Sequence, residues 1–82
     1  MQDKIDIDEI VEELFRNAPG LIPRKMFSEI IGGVISVKYF ANLDSEGLGV
    51  QPRMRIGGKV CYQKDAAIAW LKNRFKIEEV SQ

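Results

Sequence analysis

Basic and apolar residues alternate in two short runs, Arg53-Met54-Arg55-Ile56 and Lys59-Val60-Cys61-Tyr62, with Gly57-Gly58 between them. Side chains of a strand point alternately to its two faces, so a period of two gathers like residues on one side. Arg53 and Arg55 would stand about 6–7 Å apart on one face, from two residues at about 3.3 Å rise. That is near the spacing of successive phosphates, and the chemistry on offer is attraction to a polyanion. Residue types exclude most alternatives. The chain has no histidine and one cysteine, Cys61. This removes the usual zinc sites, the Ser-His-Asp and Cys-His nucleophiles and imidazole acid-base catalysis. Helical carboxylates at Asp8, Glu9, Glu12 and Glu13 lack a ligand cluster elsewhere and read as solvated charge. No enzyme activity, cofactor or metal is expected.

Net charge is zero over 82 residues, yet the charge is segregated. Residues 1–20 carry six carboxylates against Lys4 and Arg16; residues 21–76 carry ten cations against four carboxylates; residues 77–82 add Glu78 and Glu79. A basic middle lies between acidic ends, and charge per segment governs phosphate attraction. A chain of this length supports one core, burying about 60% of its unfolded surface. No apolar run approaches the roughly 18 residues of a membrane span. The N-terminus lacks a signal peptide's basic and apolar regions, and a lone cysteine forms no intrachain disulfide. These features suit a cytoplasmic protein that does not engage membranes.

Four helices and a hairpin must position the cations. Ile7, Ile10, Val11, Leu14 and Phe15 recur at helical spacing and predict an amphipathic helix over 6–17. Asp6 and Glu9 have capping-box spacing, and Ala18-Pro19-Gly20 ends the run. A second helix is expected from Pro23 to Ile31, with proline in its first turn and Met26, Phe27, Ile30 and Ile31 inward. Gly32-Gly33 stops it. Ser36 caps a third helix over 36–45. Its inward residues are expected to be Val37, Phe40 and Ala41; Lys38, Tyr39 and Asn42 share another side. Two short helices joined by a glycine turn form a helix-turn-helix pattern. The last helix is expected over 64–75, with Ala67, Ile68, Leu71 and Phe75 inward and Trp70 as core on its flank.

Gly57-Gly58 predicts a two-stranded hairpin. Its register is judged by polarity. A two-residue loop would pair Ile56 with Lys59 and Arg55 with Val60, mixing charge and core on each face. A three-residue loop, 57–59, would pair Ile56 with Val60, Arg55 with Cys61 and Met54 with Tyr62, giving one apolar and one basic face. The three-residue register is therefore expected.

Residues 33–47, then Pro52-Arg-Met-Arg-Ile-Gly-Gly-Lys-Val-Cys-Tyr62, then Asp65-Ala-Ala-Ile-Ala-Trp-Leu71 resemble the excisionase and AlpA-type regulators, which are similar in turn to MerR-type DNA-binding domains. The resemblance covers roughly residues 21–74. It implies an α+β, mainly α, winged helix-turn-helix over 21–76; the extra acidic helix within 1–20 and the acidic tail, 77–82, are read from the residues and lie outside the resemblance. It further implies that helix 36–45 is the recognition helix and hairpin 53–62 the wing, with double-stranded DNA as partner and transcription regulation or excision of a mobile element as role. In that frame Asn42 would read an adenine edge, Ser36 and Lys38 would reach bases or phosphates, and Tyr39 a phosphate. Arg53 and Arg55 would grip the backbone, and Lys59 would reach the minor groove or a phosphate. The N-terminal helix departs from a minimal excisionase and offers a surface for self-association or for an integrase. The competing reading is a protein-interaction module that keeps the fold without binding DNA. Zero net charge, a single basic residue in helix 36–45 and the acidic leading helix favour it.

Overall fold

A computed structural model describes residues 6–74. The chain runs α1 (Ile7–Leu14), β1 (Leu21–Pro23), α2 (Arg24–Ile30), α3 (Val37–Ser45), β2 (Arg53–Ile56), β3 (Lys59–Gln63) and α4 (Lys64–Arg74). All four expected helices form. Asp6 starts α1 by accepting from the Glu9 N–H at 3.2 Å, and Ser36 starts α3 by accepting from the Tyr39 N–H at 3.1 Å. Each cap satisfies an amide that has no partner inside its helix. Helix α1 is shorter than expected, closing at Leu14 with a turn over 15–17. Pro23 is the N-cap of α2 rather than a first-turn residue. Phe75 and the acidic tail lie outside the described residues. No described helix is long and apolar enough to cross a membrane.

The sheet has three strands in the order β1-β3-β2, all antiparallel, where two were expected. Strand β1 is three residues ending in proline, too short for a period-two signal. It is defined by pairing with β3 some forty residues later, with Ile22 opposite Tyr62 and Pro23 opposite Cys61.

The hairpin register also differs from expectation. Ile56 pairs with Lys59, Arg55 with Val60, Met54 with Cys61 and Arg53 with Tyr62, around a two-residue Gly57-Gly58 loop. The two glycines have φ of 56° and 82°, the positive values that a type I′ turn needs at both centres. The twist of that turn matches the twist of the strands. Turn chemistry overrode the polarity argument because β2 is an edge strand. Its face is shared with buried Val60 and Tyr62 but overhangs the core, so Arg53 and Arg55 stay exposed.

One core joins every helix to β1 and β3: Val11 and Phe15 from α1, Ile22, Phe27, Phe40, Val60, Tyr62, Ala67 and Leu71, with Val50 from the loop before β2. Phe27 sits at its centre. It stacks on Phe40 at 4.5 Å and meets Phe15, Tyr62 and Trp70 edge-on at 5.6, 5.7 and 6.0 Å. Such pairs add about 0.5–1.5 kcal/mol each beyond area burial. Trp70 is half-buried against this cluster and donates from Nε1 to the Leu48 carbonyl at 3.0 Å.

Three apolar residues are more exposed than their helical spacing suggests. Val37 is 42% exposed; it lies at the start of α3, and the buried side of that helix is instead Phe40, Leu43 and Asp44, at i, i+3 and i+4. Val11 of α1 and Phe15, its C-cap, are buried while Ile10 and Leu14 are 41% and 38% exposed. Helix α4 packs against α1 and leaves these two apolar side chains partly uncovered. Lys72 of α4 ties the pair together by donating to Glu12 at 2.9 Å, with Asp8 at 3.8 Å. The hydrogen bond to Glu12 raises the Lys72 pKa.

Candidate nucleic-acid interface

Helix α3 is held from below. Phe40, Leu43 and Asp44 are buried, and Ser28 of α2 donates from Oγ to the Ile35 carbonyl at 2.7 Å, fixing the turn before the helix. What remains outside is Ser36, Lys38, Tyr39 and Asn42, all exposed. Residues 38, 39 and 42 share one side, as the i, i+1, i+4 spacing requires. The Ser36 oxygen already accepts in the cap, which leaves its hydroxyl hydrogen free to donate.

A charged cluster beneath this surface joins α2, α3 and β3. Asp44 is 5% exposed, and its Oδ2 accepts from Arg24 Nη2 at 2.6 Å and from the Tyr62 hydroxyl at 2.7 Å. Arg24 Nε also donates to the Tyr62 oxygen at 3.1 Å. Burial opposes the charge on Arg24, but its bonds to Tyr62 and Asp44 outweigh that and raise its pKa. Burial pushes the Tyr62 phenol up to about 12, against the lowering pull of Arg24 and with the Asp44 carboxylate adding to the rise. The second Asp44 oxygen, Oδ1, is buried without a hydrogen-bond donor among the described residues. It lies so close to Gly49 that a Cβ there would fall 1.9 Å from it. Glycine at 49 is thus a packing requirement, because only a residue without a side chain lets the loop approach the carboxylate.

Arg53 and Arg55 leave the same side of β2, one bonded to the last turn of α3 and the other lining a groove that reaches its first residue. Arg53 Nη1 donates to the carbonyl of Asp44, near the end of the helix, at 3.3 Å. Arg55 lines a groove of about 520 Å³ together with Val37, the first residue of the helix. The groove separates the hairpin tip from α2. Lys59 lies on its hairpin side, Lys25 and Glu29 on its α2 side, and Met26 among its apolar lining. The ion pairs of the described residues are Arg16–Glu13, Arg24–Asp44 and Lys72 with Asp8 and Glu12. Lys25, Lys38, Arg53, Arg55 and Lys59 are therefore uncompensated among the described residues. The acidic helix α1 neutralises α4 and not these groups.

The expected site residues thus lie on α3 (Ser36, Lys38, Tyr39, Asn42) and on the hairpin (Arg53, Arg55, Lys59), with Gly57 and Gly58 forming the turn. Sequence reasoning missed Lys25 and Glu29, whose neighbours in the groove are some thirty residues away, and the Arg24–Asp44–Tyr62 cluster. One signal for the latter was present: Asp44 follows the core residue Phe40 by four, a helical spacing that places it on the buried side. Cys61 is buried. Among the described residues no group of three or more Cys, Asp or Glu side chains is placed to hold a metal ion. Comparison with protein-family models, with curated proteins and with solved structures finds no match to this chain.

Proposed function

We propose that this chain binds double-stranded DNA as a winged helix-turn-helix module of the excisionase and AlpA kind. In this reading α3 enters the major groove, where Asn42 pairs with an adenine edge and Lys38 and Ser36 reach bases or phosphates. The β2–β3 hairpin is the wing, and Arg53, Arg55 and Lys59 take the backbone. Binding of this kind regulates transcription or directs excision of an integrated element, without catalysis by the chain itself. One observation carries the reading: Arg53 bonds to the last turn of α3 and Arg55 lines the groove that reaches its first residue, with no carboxylate paired to either among the described residues.

A module of this size covers roughly 600–1,000 Å² on DNA, which favours action as dimers or in arrays. With four to six phosphates neutralised, log affinity falls against log salt with a slope of about −4 to −5. Fluorescence anisotropy with a labelled random duplex measures that slope. Replacing Arg53 and Arg55 together by alanine should flatten it by about 2. An unchanged slope and affinity in that variant would refute the wing assignment. The competing interaction-module reading rests on exposed Ile10 and Leu14 beside the carboxylates of α1. It predicts no salt-dependent binding to duplex at all.

A further inference from the structure

We infer that one phosphodiester strand lies in the groove between α2 and the hairpin tip, held by Lys25 as well as Arg55 and Lys59, and that Glu29 weakens this grip and so sets the affinity. The inference rests on the DNA reading above and adds a second wall to it. Three observations carry it. First, residues that carry cations line the groove from three separate elements: Lys25 on α2, Arg55 on β2 and, at the hairpin tip, Lys59 on β3. None of them is paired among the described residues. Arg24 also lines the groove, but its guanidinium is committed to Asp44 and Tyr62. Second, these residues come from both sides of the groove, Lys25 from α2 and Arg55 and Lys59 from the hairpin, and the lining also includes apolar Met26, Val37 and Val60. Cationic residues on both sides match a polyanion passing between them; a small anion is held by donors converging on one point. Third, the groove reaches the first residue of α3, so a strand within it lies directly beside the helix assigned to the major groove.

Glu29 stands four residues after Lys25 on α2, on the same side of the helix, and lines the same groove. It is the one carboxylate in that lining. A phosphate held by Lys25 would be repelled by it.

The test uses the full chain, a fluorescein-labelled random duplex and anisotropy over a salt series. Lys25 and Glu29 are exposed, so Lys25→Ala and Glu29→Gln should keep the helical circular dichroism of the parent. Glu29→Gln should tighten binding by roughly three- to sevenfold, from one charge removed at about 7 Å under partial screening. Lys25→Ala should weaken binding and flatten the salt slope by about 0.9, the change expected when one phosphate is no longer neutralised. Glu9→Gln, on α1, controls for net charge and should change affinity less than Glu29→Gln does. If the parent binds duplex with a steep salt slope while Lys25→Ala and Glu29→Gln match it, the groove proposal is overturned and the DNA reading stands. If the parent shows no salt-dependent binding to duplex, both fall. If poly-glutamate displaces the duplex at equal charge concentration and binds with the same dependence on residues 25 and 29, the groove takes acidic protein and the proposal is likewise overturned.

Discussion

Replacing Asp44 with alanine should be among the most damaging single changes to this fold. The carboxylate is nearly inaccessible, and it is the counter-ion of Arg24 and the acceptor for the Tyr62 hydroxyl. Its removal leaves a guanidinium whose side chain is 19% exposed and a phenol that is fully buried. Breaking a buried ion pair by deleting one partner costs about 3–5 kcal/mol. The unpaired hydroxyl is worth about 1–3 kcal/mol by itself, but the two overlap and do not add. Partial access of water to Arg24 favours the lower end, about 3 kcal/mol. A chain of 82 residues has a total stability of about 4–12 kcal/mol, at 0.05–0.15 kcal/mol per residue. The variant should therefore lose between a quarter and most of its stability. With a urea m-value of about 1 kcal/mol/M for so small a protein, the unfolding midpoint should fall by roughly 3 M. A triple replacement, Arg24→Met with Asp44→Leu and Tyr62→Phe, which leaves no buried polar group of the cluster without a partner, should recover most of the loss, since apolar packing substitutes well for a buried pair. A loss below about 1 kcal/mol for Asp44→Ala would refute the reasoning, because it would make the cluster equivalent to a surface ion pair.

Gly49→Ala would place a methyl carbon 1.9 Å from Asp44 Oδ1 and should cost about 2–4 kcal/mol by urea unfolding, through displacement of the same carboxylate. Its effect should be much smaller when Asp44 is already alanine. Gly58→Ala, at φ 82°, should destabilise by about 1–2 kcal/mol, the penalty of a side chain in the left-handed region, measured as a lowered thermal midpoint. Stability should also decline at alkaline pH. The folded chain holds the Tyr62 proton up to about 12, whereas an unfolded tyrosine releases it near 10. The contribution is thus complete below about pH 10 and is lost as pH rises toward 12, by at most about 2–3 kcal/mol. In a Tyr39→Phe protein, phenolate absorbance reports Tyr62 alone; a midpoint near 10 while the fold persists would contradict the burial argument.

Local signals are legible in this sequence and distant ones are not. The helices were legible because Val11 and Phe15, Phe27 and Ile30, and Ala67 and Leu71 repeat at helical spacing, and because Asp6 and Ser36 are cap residues in cap positions. Strand β1 was not legible, since Leu21–Pro23 becomes a strand only by pairing with Cys61–Gln63. The hairpin was expected but its register was misjudged. Polarity alone pointed to a longer loop, while two glycines suited to positive φ and an overhanging edge strand made the shorter one satisfactory. Val37 was placed inward by its chemistry, although the helix turns Leu43 and Asp44 inward instead. In the candidate interface, the α3 and hairpin residues were each visible from spacing. Their common groove with Lys25 and Glu29 arises from tertiary packing of α2 against β3, which no local pattern encodes.

The leading helix is bound to the rest of the molecule by more than charge. Phe15 closes one side of the Phe27 ring, and Val11 lies beside it in the same cluster. A graft that starts at Gly20, taking only the stretch that carries the cations, would leave the central aromatic ring open to solvent where Phe15 had sat. An aromatic side chain buries about 150–250 Å², so such a shortened unit would gain a sticky apolar face. A transplantable piece of this protein therefore keeps the Asp6 cap and its acidic helix.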